Sequence, residues 1–430
     1  MYKVCSNILR EILIAYEQLI NEQKLTFIGY LRIQTEEARV QDTSFLSTMN
    51  ILMYSTYFPP HYSGAAKQAI ALAKKLHARG HHIEFATLRR EGETFEDSYD
   101  SFKVWRLSNG RGKHREFVFW WNFFRFFYSR RKDFNILHSH GAYYYNSIVG
   151  PLGRLFRKKS LMKISLANND LAGLGQGISG KIHHSFLEMV DACVVISRDL
   201  QKEVDELRFP SSKVFMLPNC VDTDRFRPPT YLEKLEKKKM FGLSAKQSIT
   251  LTVGVFDKRK NIGWLIDKWV EHQGFGTGAL LMAVGPQSRE DKDGNFLRGL
   301  KQLAANHPDL IKIYDHVENI EDFYQVVDFF ILPSTGEGMP NVVLEAMASG
   351  LPCITTRVSG CSDLVDEGVN GFMFQADDAQ ELHSALSNML TSDHDHFSHA
   401  ARKKVEHNFS LQALALAYED LYCKLISSRT

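Results

Sequence analysis

From residue 50 onward the chain alternates short, almost wholly apolar runs with helix-length amphipathic segments, in two successive series. Nothing else in the sequence constrains the fold so strongly. Strands buried on both faces read as continuous apolar runs, and parallel neighbours need a crossover segment between them. The first series predicts strands at Ile51–Ser55, Ile83–Thr87, Ile136–His138, Leu161–Leu166, Ala192–Ile196 and Val214–Leu217. The second predicts Ile249–Val253, Leu280–Val284, Ile311–Tyr314, Phe329–Leu332 and Pro352–Thr355. Helix patterns such as Ala65–Arg79 and Asn341–Ser349 lie between them. The expected fold class is α/β, with two doubly wound, Rossmann-like domains facing an interdomain cleft. Ligands of such sheets bind beyond the carboxyl ends of strands, so the loops that follow strands are where chemistry is sought.

A length of 430 residues exceeds one ordinary core. The break between the series, Pro218–Pro229, carries three prolines and suits a hinge. The expected division is a leader at 1–48, a first domain at 49–220, a second at 221–410 and a closing helix at 411–430. The apolar spacing of Leu411–Ile426 suits a helix that either closes the second domain or crosses back to the first. The leader is amphipathic and charged up to an irregular Thr43–Ser47 stretch, after which Ile51–Tyr54 begins an abrupt buried-strand pattern. Two readings of it stand, an accessory helix or a start site placed upstream of Met49.

Lys plus Arg is 52 against 50 for Asp plus Glu, so the net charge of +2 argues against nucleic acid as an obligate partner. Hydrophobic residues at 44% and charged ones at 24% are typical of a soluble globular chain. Cys5, Cys193, Cys220, Cys353, Cys361 and Cys423 form no Cys-x-x-Cys pair and have no His cluster at zinc spacing, which suits reduced thiols in the cytoplasm. No apolar run approaches the ~18–20 residues of a membrane span. The stretch Ile12–Ile20 is broken by Glu17 and Gln18 and lacks a cleavage site, so it is not a secretion signal.

The segment that carries most chemistry is Ser334-Thr335-Gly336-Glu337-Gly338-Met339-Pro340-Asn341, continuing VVLEAMASG to Gly350. A buried strand runs through a Gly-rich turn straight into a helix, with Pro340 where a first-turn proline is favoured. Free N–H groups at Gly338, Met339, Asn341 and Val342 then offer a site for phosphate or sugar oxygens. Glu337 precedes the turn and Glu345 lies about two helical turns on, so both are expected to face one cleft. Ionised carboxylates accept hydrogen bonds from pairs of sugar hydroxyls.

On these residues the chain resembles the retaining glycosyltransferases of family 4, which have the glycosyltransferase type-B architecture. The Glu-x7-Glu spacing and its EGMPNVVLEAMASG context carry the likeness, which extends from residue 49 to about 426. The resemblance implies that Glu337 contacts the donor's sugar and Glu345 the ribose hydroxyls, and that 221–410 binds the nucleotide sugar while 49–220 serves the acceptor. It places a Gly-rich loop at Ser55–Ala65, where Gly64 and Ser63 would approach the donor phosphates, Ser63 standing in for a more usual Gly. It gives His140 of Ile136–Gly141 a place beside the donor sugar and the acceptor. In Thr252–Asn261 it makes Lys260 a stabiliser of the leaving diphosphate. The Arg expected directly after Gly254 is here Val255, and Arg259 or Lys258 is left to supply the second cation.

Asp222-x-Asp224 lies in the hinge, and two acids around one residue do not make a Mg²⁺ site, so no metal and no cofactor is expected. Gly175–Gly180 fits Gly-x-Gly-x-x-Gly formally but follows no strand directly, and is read as a loop at the acceptor side. The aromatic segment Phe117–Tyr128, followed by Arg130, Arg131 and Lys132, suits core packing or a helix resting on lipid. The expected activity is transfer of a sugar from a nucleoside-diphosphate sugar to a saccharide or lipid-linked glycan, with retention, in surface polysaccharide or glycoconjugate synthesis. Its expected place is the cytoplasm, with lipid contact putting it on the inner face of the membrane. A sugar-nucleotide epimerase of the same architecture and a non-catalytic sugar-nucleotide-binding protein are the alternatives.

Overall fold

Two parallel sheets hold the two apolar series. The computed structural model describes residues 48–61, 63–110, 115–166, 170, 177–207 and 209–428. The leader up to residue 47 and, of Gly175–Gly180, Gly175 and Gln176 lie outside them, while Ile178–Gly180 open a helix (Ile178–Glu188) rather than a loop.

The first sheet comprises β1 (Asn50–Tyr54), β2 (His82–Leu88), β3 (Glu96–Tyr99), β4 (Phe102–Leu107), β5 (Ile136–His140), β6 (Lys159–Ile164), β7 (Ala192–Val195) and β8 (Val214–Met216). Their order is β3-β4-β2-β1-β5-β6-β7-β8. Only β3 runs antiparallel, against β4. The second sheet, β9 (Ile249–Val253), β10 (Leu280–Val284), β11 (Ile311–Tyr314), β12 (Phe329–Leu332), β13 (Cys353–Thr356) and β14 (Gly371–Phe374), is ordered β11-β10-β9-β12-β13-β14. Its pairings are all parallel.

Three strands were not expected, each for a local reason. In β4 the apolar run is interrupted by Lys103 and Arg106, because Arg106 turns inward to pair with Glu93 and Asp97. The neighbouring β3 is exposed throughout, as an added edge strand is, and has no apolar signature. Gly371 opens β14 where a Cβ would come within 2.0 Å of the Cys353 carbonyl oxygen, so close strand approach outranks the poor propensity of glycine.

The strand orders reverse at two points, between β1 and β5 and between β9 and β12. Loops leaving the strands on either side of such a reversal diverge and open a crevice. The four loops singled out above, after β1, β5, β9 and β12, are the loops at these two points.

Four helices matter to the site. α1 (Gly64–Ala78) follows β1, α2 (Arg115–Arg130) is the aromatic helix, α3 (Asn341–Ala348) follows β12, and α4 (Leu411–Ser427) ends the described chain. Tyr418, Leu421 and Tyr422 of α4 share one core with β1, β5 and the apolar face of α1. Polar contacts tie the same helix down, with Tyr422 Oη 2.8 Å from His138 Nδ1 and Glu419 Oε1 2.7 Å from His81 Nε2. The C-terminal helix therefore lies against the first sheet. A second core runs from β6 and β7 through Val221 and Phe226 into β9, β10, β12 and α3.

Candidate active site

Between the two reversal points lies a cavity of about 240 Å³ lined from both sheets. Its wall on the second sheet is set by the corner after β12. Pro340 takes the N-cap position of α3, one place earlier than expected, and its carbonyl accepts from Val343 N at 3.1 Å. A Cβ on Gly338 would lie 2.0 Å from the Ser165 carbonyl oxygen of the first sheet, so only glycine allows this approach across the cleft.

Glu337 is 6% exposed and doubly matched. Lys260 Nζ donates to Oε1 at 2.7 Å, and Arg259 Nη1 lies 3.1 Å from Oε2 while also donating to the Gly336 carbonyl at 2.9 Å. Burial pushes the Glu337 carboxyl up, but the charges of Lys260 and Arg259 outweigh it and hold it below the ordinary glutamate value. It is therefore an anion at neutral pH, set at the mouth of a helix N-terminus. Of the two residues left to supply the second cation, Arg259 lines the cavity and Lys258 is exposed to solvent. Val255 also lines it, and the guanidinium reaches the site from four residues further along the same loop.

Glu345 does not share the cavity of Glu337. It lines an adjoining hollow of about 40 Å³ with Lys67, Gly254, Gly285, His316 and Ile320, and the two spaces have Asn341 and Val342 in common. The Tyr324 hydroxyl donates to Glu345 Oε2 at 2.9 Å. Burial raises this carboxyl above the ordinary value, offset only in part by Lys67, Tyr324 and Arg225. The single gap expected for the two glutamates is thus two adjoining chambers that share Asn341 and Val342, because α3 turns Glu345 towards the loops after β9 and β10.

The wall on the first sheet comes from α1, β5 and β6. Gly64 lines the cavity, and a Cβ there would make only an ordinary 3.5 Å contact with Asn341 Nδ2. Ser63 does not face the cavity with its hydroxyl, which accepts from Ala66 N at 3.2 Å and caps α1. His140, 4% exposed, ends β5 with neither ring nitrogen hydrogen-bonded among the described residues. Burial, with His138 and Lys163 alongside, pushes its imidazole well below the ordinary value, so it is neutral at pH 7. A neutral ring offers one donor and one acceptor to whatever enters. His138 stacks on it at 4.0 Å and is committed to Tyr422.

Gln68, Lys163, Ser165 and Asn219 complete this wall and were not anticipated. Gln68 Nε2 and Asn219 Nδ2 both donate to Asn341 Oδ1, at 3.1 and 3.0 Å, so Asn341 bridges the sheets as well as lining both chambers. Met339 is buried and fixes the wall through its carbonyl, which accepts from Asn219 Nδ2 at 2.9 Å. Asp222 Oδ1 accepts from Asp224 N and Arg225 N at 3.1 and 3.2 Å, a turn-forming role.

Comparison with known proteins bears on both halves. Residues 62–225 match the family described as Glycosyltransferase Family 4, and residues 247–392 match Glycosyl transferases group 1. An Escherichia coli relative, UDP-Gal:alpha-D-GlcNAc-diphosphoundecaprenol alpha-1,3-galactosyltransferase, is 25% identical over 317 residues, covering 70% of this chain and 78% of its own. The N-acetyl-alpha-D-glucosaminyl L-malate synthase of Bacillus anthracis is 24% identical over 299 residues, 68% of this chain and 76% of that one. In fold, sucrose-phosphate synthase from Thermosynechococcus elongatus superposes with a TM-score of 0.73 at 20% identity, over 89% of this chain and all of the other. The two family matches fall on the two sheets and together take in more than two thirds of the chain. The chain belongs to the family 4, group 1 glycosyltransferases, with their type-B architecture.

Proposed function

We propose that the cleft binds a nucleoside-diphosphate sugar across its two chambers and passes the sugar to a hydroxyl of a saccharide or lipid-linked glycan, with retention of configuration. The observation that carries this reading is the Lys260–Glu337–Arg259 cluster at the head of α3, beside a second chamber closed by Glu345. In this reading ribose hydroxyls donate to Glu345, the diphosphate lies between the α1 and α3 N-termini, and Glu337 with His140 holds the transferred sugar. Backbone N–H groups at Gly338, Met339, Asn341 and Val342 and the loop at Ser63 and Gly64 add uncharged contacts. Charge grows on the diphosphate as the bond from its oxygen to C1 breaks, and Lys260 and Arg259 stand where they would meet it. The acceptor oxygen bonds to C1 on the same face, and its proton passes to the departing phosphate oxygen. Two side-chain cations serve the leaving group, so this reading calls for no metal.

The Escherichia coli relative is named for a UDP-activated galactose and a diphosphoundecaprenol-linked acceptor. We extend the classes, a uridine-type nucleotide sugar and a lipid-borne glycan, to this chain. The surface of α2 supports the lipid half. Its buried face is Phe119, Phe123, Phe126 and Phe127, while Phe117, Trp121 and Tyr128 are 70%, 60% and 52% exposed. Trp121, Phe124 and Tyr128 form a stacked strip, next to exposed Arg125 and Lys132. Such a strip suits the interface of an anionic bilayer. No helix of the described residues is long and apolar enough to cross a membrane. Wild type should float with anionic vesicles, and Phe117→Ser with Trp121→Ser should not; a wild type that stays behind removes the lipid contact.

The transfer reading is tested with Glu337→Ala. Turnover of the nucleotide sugar, with acceptor or by hydrolysis, should fall about a hundredfold or more. Unchanged turnover would contradict the site, and an epimer formed without acceptor would identify the other enzyme class.

A further inference from the structure

A lysine in the middle of a buried strand is an expensive choice unless its charge is met. Lys163 is such a residue. It is paired in register with His140 across β5 and β6, so both side chains leave the same face of the sheet, and both line the large cavity. It is 4% exposed, and among the described residues no hydrogen bond or ion pair reaches its ammonium. Among the described residues, the groups around it offer no counter-charge. His138 and His140 are neutral, and burial raises the Cys220 thiol to about 12. Glu337, the carboxylate of the cavity wall, is already matched by Lys260 and Arg259.

We infer that Lys163 is the recognition point for an anionic substituent, carboxylate or phosphate, on the saccharide that enters beside His140. Three observations converge on it. The ammonium lines the cavity with no ion pair among the described residues, so an incoming anion gains one without first breaking another. The adjacent His140 has both nitrogens open, a donor and an acceptor for hydroxyls flanking the charged group. The diphosphate has its own cations on the opposite wall, which leaves Lys163 for the saccharide end. Burial also pushes the ammonium down to about 8, so near neutral pH it is charged but held at a cost that an anion would relieve. The inference rests on the proposed donor cleft and adds to it the class of sugar.

The experiment titrates the full-length protein with glucose, glucuronate and glucose 6-phosphate, each with UDP, GDP or ADP present. Wild type should bind at least one charged probe about tenfold or more tightly than glucose. Glucuronate or glucose 6-phosphate as the preferred probe tells a carboxylate source from a phosphate source. Lys163→Met should abolish the preference and Lys163→Arg should keep it in part. Met fills the same space without the charge, so Lys163→Met should melt no lower than wild type, showing that the loss is not unfolding. Equal binding of all three probes by wild type, or a preference that survives in Lys163→Met, overturns the inference. So does weakened binding of the bare nucleoside diphosphate in Lys163→Met, which would make the lysine a diphosphate ligand. Nucleotide binding without any preference leaves the donor cleft standing, whereas a preference without nucleotide binding removes the donor cleft and keeps the lysine's role.

Discussion

On the second sheet's wall of the cleft each carboxylate has partners: Glu337 is held by two cations, and Glu345 accepts a hydroxyl and lies in the field of two more. On the first sheet's wall, among the described residues, His140 lacks any hydrogen bond and Lys163 lacks any counter-ion. The difference separates a wall assembled before substrate arrives from one whose polar groups wait for it. A preorganised cluster suits the part of the substrate common to all donors, the nucleoside diphosphate. Unmet groups suit the variable part, because the saccharide that satisfies them is favoured over one that leaves them bare.

The balanced wall should break hardest when one member is taken away. Glu337→Ala leaves Lys260 buried beside no carboxylate and should lower stability by about 3–5 kcal/mol. Glu337→Ala combined with Lys260→Met should lose clearly less than the sum of the two single changes, in urea unfolding monitored by circular dichroism. Additive losses would mean that the pair is not coupled in solution.

A smaller effect separates the two glutamates by pH. Glu337 releases its proton more readily folded than unfolded, so its contribution to stability is present above the ordinary glutamate range and is lost as pH falls through the lowered value. Glu345 holds its proton more tightly folded, so its contribution is full below that range and is lost as pH rises through the raised value. Melting temperatures between about pH 3 and pH 7 should therefore show Glu337→Gln flattening the acid limb. Glu345→Gln should instead remove the decline that accompanies rising pH. Identical pH profiles for the two variants would contradict the opposite environments assigned to them.

The balanced wall was also the legible one, and the reason is covalent. Glu337, Met339, Asn341 and Val342 lie within one strand-to-helix corner, and Lys260 within one loop, so their types and spacing sit side by side in the chain. The waiting wall is assembled at a distance. Gln68 and Asn219 meet at Asn341 across 273 and 122 residues, and no local pattern marks either. Lys163 had a signal, a lone cation inside the apolar run Leu161–Leu166, but a run taken as a buried strand does not reveal which of its residues faces a cavity. His140 was reached through the resemblance, supported by the expectation that β5 ends on the cleft. The strand itself runs two residues past the expected His138, so His140 is its last residue rather than part of the loop. Strand order could not be had from spacing at all, and it is the order that brings the loops after β1, β5, β9 and β12 to one crevice.

The division of labour between the walls is tested most directly by titrating one sugar nucleotide and its bare nucleoside diphosphate into three proteins: wild type, Arg259→Met and His140→Ala. The account expects Arg259→Met to weaken both ligands alike, and His140→Ala to weaken the sugar nucleotide about tenfold while leaving the bare diphosphate unchanged. A His140→Ala protein that loses both equally, or an Arg259→Met protein that loses neither, would contradict it.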